Sequence, residues 1–143
     1  MNAVMKTLEN AALKSQTFSW ALLRILSSVM FMTHGYAKLF GENPQTMLGG
    51  MDFFGINLGI NMLWIAAIIE LFGGAMLVLG IFTRPLALLA AILMVMAYLS
   101  AHAAWFPTLN RGELAAMYFM VYLVIFAKGA GPVSLDAKLF GKG

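Results

Sequence analysis

The side chains able to do chemistry are few, and most stand where the sequence is otherwise oily. Arg24, His34 and Lys38 lie on one long apolar run, Glu70 in the middle of a second, His102 near the end of a third, and Glu113 opens a fourth. A carboxylate beside an imidazole or a cation can hold and pass a proton. Two pairings are open. Arg24 extends to Glu70, giving a structural ion pair, or His34, about one helical turn above Glu70, shares a proton with it. The first would fix the register of two helices. The second would make a polar floor for a ligand. Two histidines without ligand spacing are a weak metal or haem signal, and no metal site is assigned. With no cysteine present, thiolate metal sites, iron–sulfur ligation and a CxxC redox pair are excluded for these residues.

The elements that position these groups follow from composition. The 143 residues are 62% hydrophobic and 10% charged. A soluble domain is about 25% charged, so this chain has too few charges to cover a water-facing surface. Lipid removes that requirement. The reading is an all-α integral membrane four-helix bundle, one domain over residues 1–143, with spans at about 18–40, 61–82, 85–105 and 113–128. Residues 1–17 read as a separate interfacial helix or a tail, with Val4, Leu8, Ala11 and Ala12 on one face. No cleaved signal peptide is expected, because the first apolar run starts late and lacks a small-x-small site.

Residues 41–60 form the sizeable loop, with Met51, Phe53, Phe54 and Ile56 keeping it apolar enough to lie on the membrane face. Thr83-Arg84-Pro85 reads as a tight turn between antiparallel helices, Pro85 suiting a first helical position. Lys6, Lys14, Arg84, Lys128, Lys138 and Lys142 fall on one side, Lys38 and Arg111 on the other. That asymmetry places both termini in the cytoplasm. The net charge of +3 is scattered over segment ends, which fits anionic lipid and not nucleic acid.

Depth follows from about 1.5 Å per helical residue. Glu70 lies about 13 Å and His34 about 9 Å below the outer ends of their helices, with Arg24 about as far from the inner end. Arg24, His34, Lys38 and Glu70 are therefore the candidate buried polar site. His102, Glu113, Trp64 and Trp105 form its rim, with Tyr98 walling the space. Such an apolar cavity with a few convergent polar groups is the usual form of a small-molecule site. The twelve methionines read as filler, and Gly73-Gly74 as a site of close packing or a kink.

Three stretches together resemble the DoxX family of small bacterial membrane proteins. They are Arg24 with His34-Gly35-Tyr36-Ala37-Lys38, the run from Glu70 to Ala87 (ELFGGAMLVLGIFTRPLA), and Gly129-Ala130-Gly131-Pro132-Val133-Ser134-Leu135-Asp136. The resemblance implies a four-helix protein of the bacterial inner membrane. Some relatives are described as subunits of thiosulfate:quinone oxidoreductase, others as partners in membrane-bound redox assemblies. It thus implies a small membrane subunit of an oxidoreductase system, with a quinone as candidate ligand and a redox subunit or a second copy as partner. A scaffold without ligand and a small-solute transporter are the competing readings. In the tail, Gly129, Gly131 and Pro132 end the fourth helix, while Ser134 and Asp136 fasten the chain.

Overall fold

A computed structural model describes residues 2–49, 52–53, 55–57 and 59–141. Met51, Phe54 and Lys142, which entered the reading of the loop and of the charge asymmetry, lie outside the described residues.

The first helix, α1, runs unbroken over Ala3–Phe40. The Asn2 side chain caps it by accepting from Val4 N–H at 2.9 Å and Met5 N–H at 3.2 Å. The separate interfacial helix expected over residues 1–17 is therefore corrected. No glycine or proline stands between Ala3 and Val29 to break the rod, so helix formation does not wait for the apolar run at Phe18. The rod is about 57 Å long, and residues 2–19 are exposed.

The loop that follows holds a minimal antiparallel pair, β1 (Asp52–Phe53) and β2 (Ile56–Asn57), with Asp52 opposite Asn57 and Phe53 opposite Ile56. An all-α reading omitted it. Helix α2 spans Met62–Leu79 and contains a π-helical segment at Ile69–Gly73. Helix α3 is Thr83–Ala101, α4 is Glu113–Lys128 and α5 is Leu135–Phe140, with a short 3₁₀ turn at Pro107–Asn110 before α4. The tight turn is Gly80–Phe82, not Thr83–Pro85. Gly80 (φ +68°) and Phe82 (φ +49°) take the left-handed conformation. Pro85 is thus the third residue of α3, where a missing N–H still breaks no intrahelical bond.

Helices α1 and α2 pack along each other, as do α3 and α4. The first pairing uses glycines, the second alanines. At Gly74 an added Cβ would come within 2.6 Å of Met32 and 3.1 Å of the Ser28 carbonyl. Ala87, Ala90 and Ala91 are buried in the core with Phe31, Leu77, Met94, Tyr118, Tyr122 and Ile125.

The distribution of polarity is inverted relative to a water-soluble protein. Arg24, Ser27, Ser28, Glu70 and Thr83 are buried, whereas Leu22, Leu26, Met30, Phe72, Leu88, Ile92, Leu99, Met117, Met120 and Val124 are exposed. Burying a charge and exposing a leucine suits a helix whose surroundings are hydrocarbon. Both α2 and α3 are long and apolar enough to cross a membrane.

The end of the molecule that carries the α2–α3 turn is held by polar clamps. The Asp136 carboxylate accepts from Phe82 N–H and Thr83 N–H, each at 2.9 Å, and so closes the N-terminus of α3. Its own N–H donates to the Gly80 carbonyl at 2.8 Å. Ser134 caps α5 by accepting from Ala137 N–H at 3.1 Å. Arg84 donates to the Phe126 and Ala127 carbonyls at 3.1 and 3.0 Å, satisfying the last turn of α4. Trp20 donates to the Gly129 carbonyl at 3.2 Å, with the Lys128 ammonium 4.5 Å above its ring. The tail is therefore the fastener expected from its sequence. Asp136→Asn keeps one acceptor and loses the charge that faces the α3 N-terminus, so it should destabilise by about 1–2 kcal/mol, read from denaturant or thermal unfolding in detergent.

Candidate functional site

Among the described residues, the side chain of Glu70 has one polar partner, Lys38. The ammonium donates to both carboxylate oxygens, at 2.6 and 2.7 Å. The Glu70 side chain is 4% exposed and that of Lys38 is 31% exposed. Lys38 stands near the end of α1 and lays its four-carbon stem along the helix, so that the charged tip reaches a carboxylate one turn deeper.

Two local features make the approach close. Gly35 has no side chain where α1 meets α2: a Cβ there would lie 2.5 Å from Leu71 N, 2.7 Å from the Ala67 carbonyl and 2.9 Å from Glu70 Cβ. The π-helical segment Ile69–Gly73 adds one residue to the turn that carries Glu70. Such bulges are frequent at functional sites. Gly35→Ala should push α1 away from Glu70 and destabilise by about 3 kcal/mol. Unfolding in detergent checks the magnitude, and loss of the Lys38–Glu70 contact should accompany it.

Both pairings expected for Glu70 are corrected. Antiparallel packing sets Gly35 opposite Glu70, and Gly80 opposite Arg24. Arg24 therefore lies about 16 Å along α1 from the Glu70 level, beyond the reach of its side chain. Its guanidinium instead donates to four backbone carbonyls: Leu77, Val78 at 2.8 Å, Ala130 at 3.1 Å and Val133 at 2.6 Å. His34 is exposed and sets its ring edge-on to Tyr118, centroids 6.0 Å apart. Of the four candidate residues, Lys38, Glu70 and His34 are brought together, and Arg24 is not.

The ion pair stands between two cavities. A slot of about 160 Å³ between α2 and α3 is lined by apolar side chains, with Lys38 and Glu70 among its walls. On the other side, a recess of about 310 Å³ is lined by His34, Lys38, Glu70, His102, Arg111 and Tyr118. Lys38, Glu70 and Ala97 border both.

The expected rim holds only in part. His102 lines the recess, its Nδ1 2.9 Å from the Asn110 carbonyl. Glu113 is exposed in the first turn of α4, and Trp64 lines neither cavity. Trp105 is 89% exposed, its ring tilted 48° to that of Phe106 with centroids 5.8 Å apart, and it lines neither cavity beside the ion pair. Tyr98 is tied down elsewhere, donating to the Ala104 carbonyl at 2.6 Å. Tyr118 and Arg111 also line the recess and were not among the expected site residues. Tyr118 and Tyr122 stand four apart on an apolar run, which is a sign that phenols face inward. Arg111 carried no such sign.

These features define a helical membrane protein with a charged pair enclosed between its helices. The chain belongs to the DoxX family, whose profile matches residues 19–103. A protein of Haemophilus influenzae described as "Uncharacterized protein" is 40% identical over 134 residues, covering 90% of this chain and 96% of that one. The Bacillus subtilis protein named "Putative oxidoreductase CatD" is 28% identical over 128 residues, covering 89% of this chain and 91% of its own. No solved structure matches the chain.

Proposed function

We propose that this protein is a small membrane subunit of an oxidoreductase system, and that the Lys38–Glu70 pair is the polar floor of a site for a quinone-like molecule. In this reading α1 (from Phe18 onward), α2, α3 and α4 cross the bacterial inner membrane as a four-helix bundle with both termini cytoplasmic. The observation that carries the proposal is a glutamate side chain 4% exposed, held by an ammonium that is partly open, where two cavities meet. A purely structural pair has no need of cavities on both sides. The name of the Bacillus relative supports a redox context.

The donor set suits such a ligand. The Lys38 ammonium has hydrogens to offer a carbonyl oxygen, and the Glu70 carboxylate can hold or release a proton beside it. A quinone bound there would supply electron and proton exchange. The chain would contribute orientation through Lys38, a proton store at Glu70, and a path toward water past Tyr118, His34 and His102. Arg24 has no part in that chemistry. It secures α2, and thereby the position of Glu70.

Titration of the purified protein with a ubiquinone or menaquinone analogue tests this. Glu70→Gln should weaken binding about tenfold, and His34→Ala should weaken it less. Binding unchanged in both variants would remove the site assignment.

A further inference from the structure

Consecutive helices joined by a tight turn usually pack along their length, yet α2 and α3 do not. Gly35 and Gly74 draw α2 onto α1, and Ala87, Ala90 and Ala91 seat α3 against α4. The hairpin therefore opens beyond its turn and leaves the 160 Å³ slot. Its lining residues Leu63, Leu89 and Ile92 are 36%, 40% and 49% exposed, on the surface that faces lipid. Its polar walls are Lys38, Glu70 and Ser100.

We infer that the ligand of this site enters sideways from the bilayer, between α2 and α3, and is a single uncharged ring carrying a hydrocarbon tail. The inference rests on the functional reading above and specifies its ligand and route.

Three observations carry it. The first is size. A cavity of about 150 Å³ accommodates one benzene ring, and the slot matches that volume, so the ring fills it and the tail must remain outside in lipid. The second is depth. Glu70 lies eight residues, about 12 Å, inward of Met62 at the end of α2. A phospholipid keeps its headgroup at the interface and cannot bring it to that level. A small ring on a flexible chain can. The third is charge. The Lys38 and Glu70 charges already satisfy each other at 2.6 and 2.7 Å. A charged head would add a third charge in low dielectric with no counterion, whereas a neutral carbonyl takes a hydrogen bond without that penalty. The recess on the opposite side of the pair, with Arg111, His34 and His102, is then the water side.

The test is photolabelling in nanodiscs of phosphatidylethanolamine and phosphatidylglycerol. The probe is an azido-benzoquinone with a ten-carbon chain, and labelled residues are read by mass spectrometry. Labels are expected on Ile69, Ile92 and Leu93. Ile92→Trp, at an exposed position that should fold, is expected to cut labelling about tenfold. Val95→Trp, on the same helix but outside the slot, should leave it unchanged. Labels confined to Arg111, Leu114 and Tyr118 would overturn entry from lipid while leaving a site at the ion pair. Equal labelling of the slot by a photoreactive fatty acid would overturn the uncharged head. A folded protein labelled nowhere would overturn both this inference and the functional reading on which it rests.

Discussion

Replacing Arg24 with methionine is expected to lower the unfolding free energy by about 3–5 kcal/mol. The guanidinium is 1% exposed and serves carbonyls from two separate parts of the chain. Leu77 and Val78 belong to the last turn of α2, where the Leu77 carbonyl also accepts from Gly80 N–H at 3.2 Å, while Ala130 and Val133 belong to the tail. Methionine fills the space and satisfies none of them. Asp136, held at the neighbouring turn, would also lose a nearby opposite charge. Arg24→Lys should recover less than half of the loss, because one compact ammonium cannot address four carbonyls that a planar fork reaches together. Unfolding in detergent gives the magnitude. Limited proteolysis gives the location, since residues 129–141 should become cleavable before the rest of the bundle.

The second large effect concerns the Lys38–Glu70 pair and is asymmetric. Lys38→Met leaves a buried carboxylate with no cation, and should destabilise by about 3 kcal/mol. Glu70→Gln should cost about 2 kcal/mol, because Lys38 is partly exposed and can turn toward water. The double variant Lys38→Met, Glu70→Met replaces both charges by apolar groups and should return to within about 1 kcal/mol of the parent. Ligand binding should not return with it. Stability recovered without binding is the signature of a pair retained for function, and it is read from a double-mutant cycle on unfolding set beside one on ligand titration.

Much of this architecture is legible in the sequence. The apolar runs mark the helices, and the expected limits of the fourth, 113–128, are those of α4. Ser134 and Asp136 carry the chemistry of caps, and they cap. The presence of Glu70 in an apolar run already requires a partner inside the bundle. Which partner is not legible. It depends on the register of α1 against α2, and that register is set by Gly35 and Gly74, where backbones touch. A glycine announces close approach without naming what approaches. Counting residues from helix ends placed Arg24 and His34 within plausible reach, and overlooked the downward reach of the Lys38 stem. The π segment is equally hidden, since Ile69–Gly73 has no composition that separates it from an ordinary helical turn. Trp105 was misread because interfacial tryptophans favour the membrane boundary whether or not they wall a cavity.

In the proposed site the Glu70 carboxylate, paired with Lys38, meets the ligand directly. The chain has only six acidic side chains, so the carboxylate region of an infrared difference spectrum can be assigned. Spectra of the reconstituted protein, labelled with carbon-13 at the glutamate side-chain carboxyl, would be taken before and after addition of a ten-carbon-tailed benzoquinone. A shift in the labelled carboxylate band that vanishes in Glu70→Gln is the predicted result. A shift that persists in Glu70→Gln, or ligand binding with no glutamate shift in the parent, would contradict it.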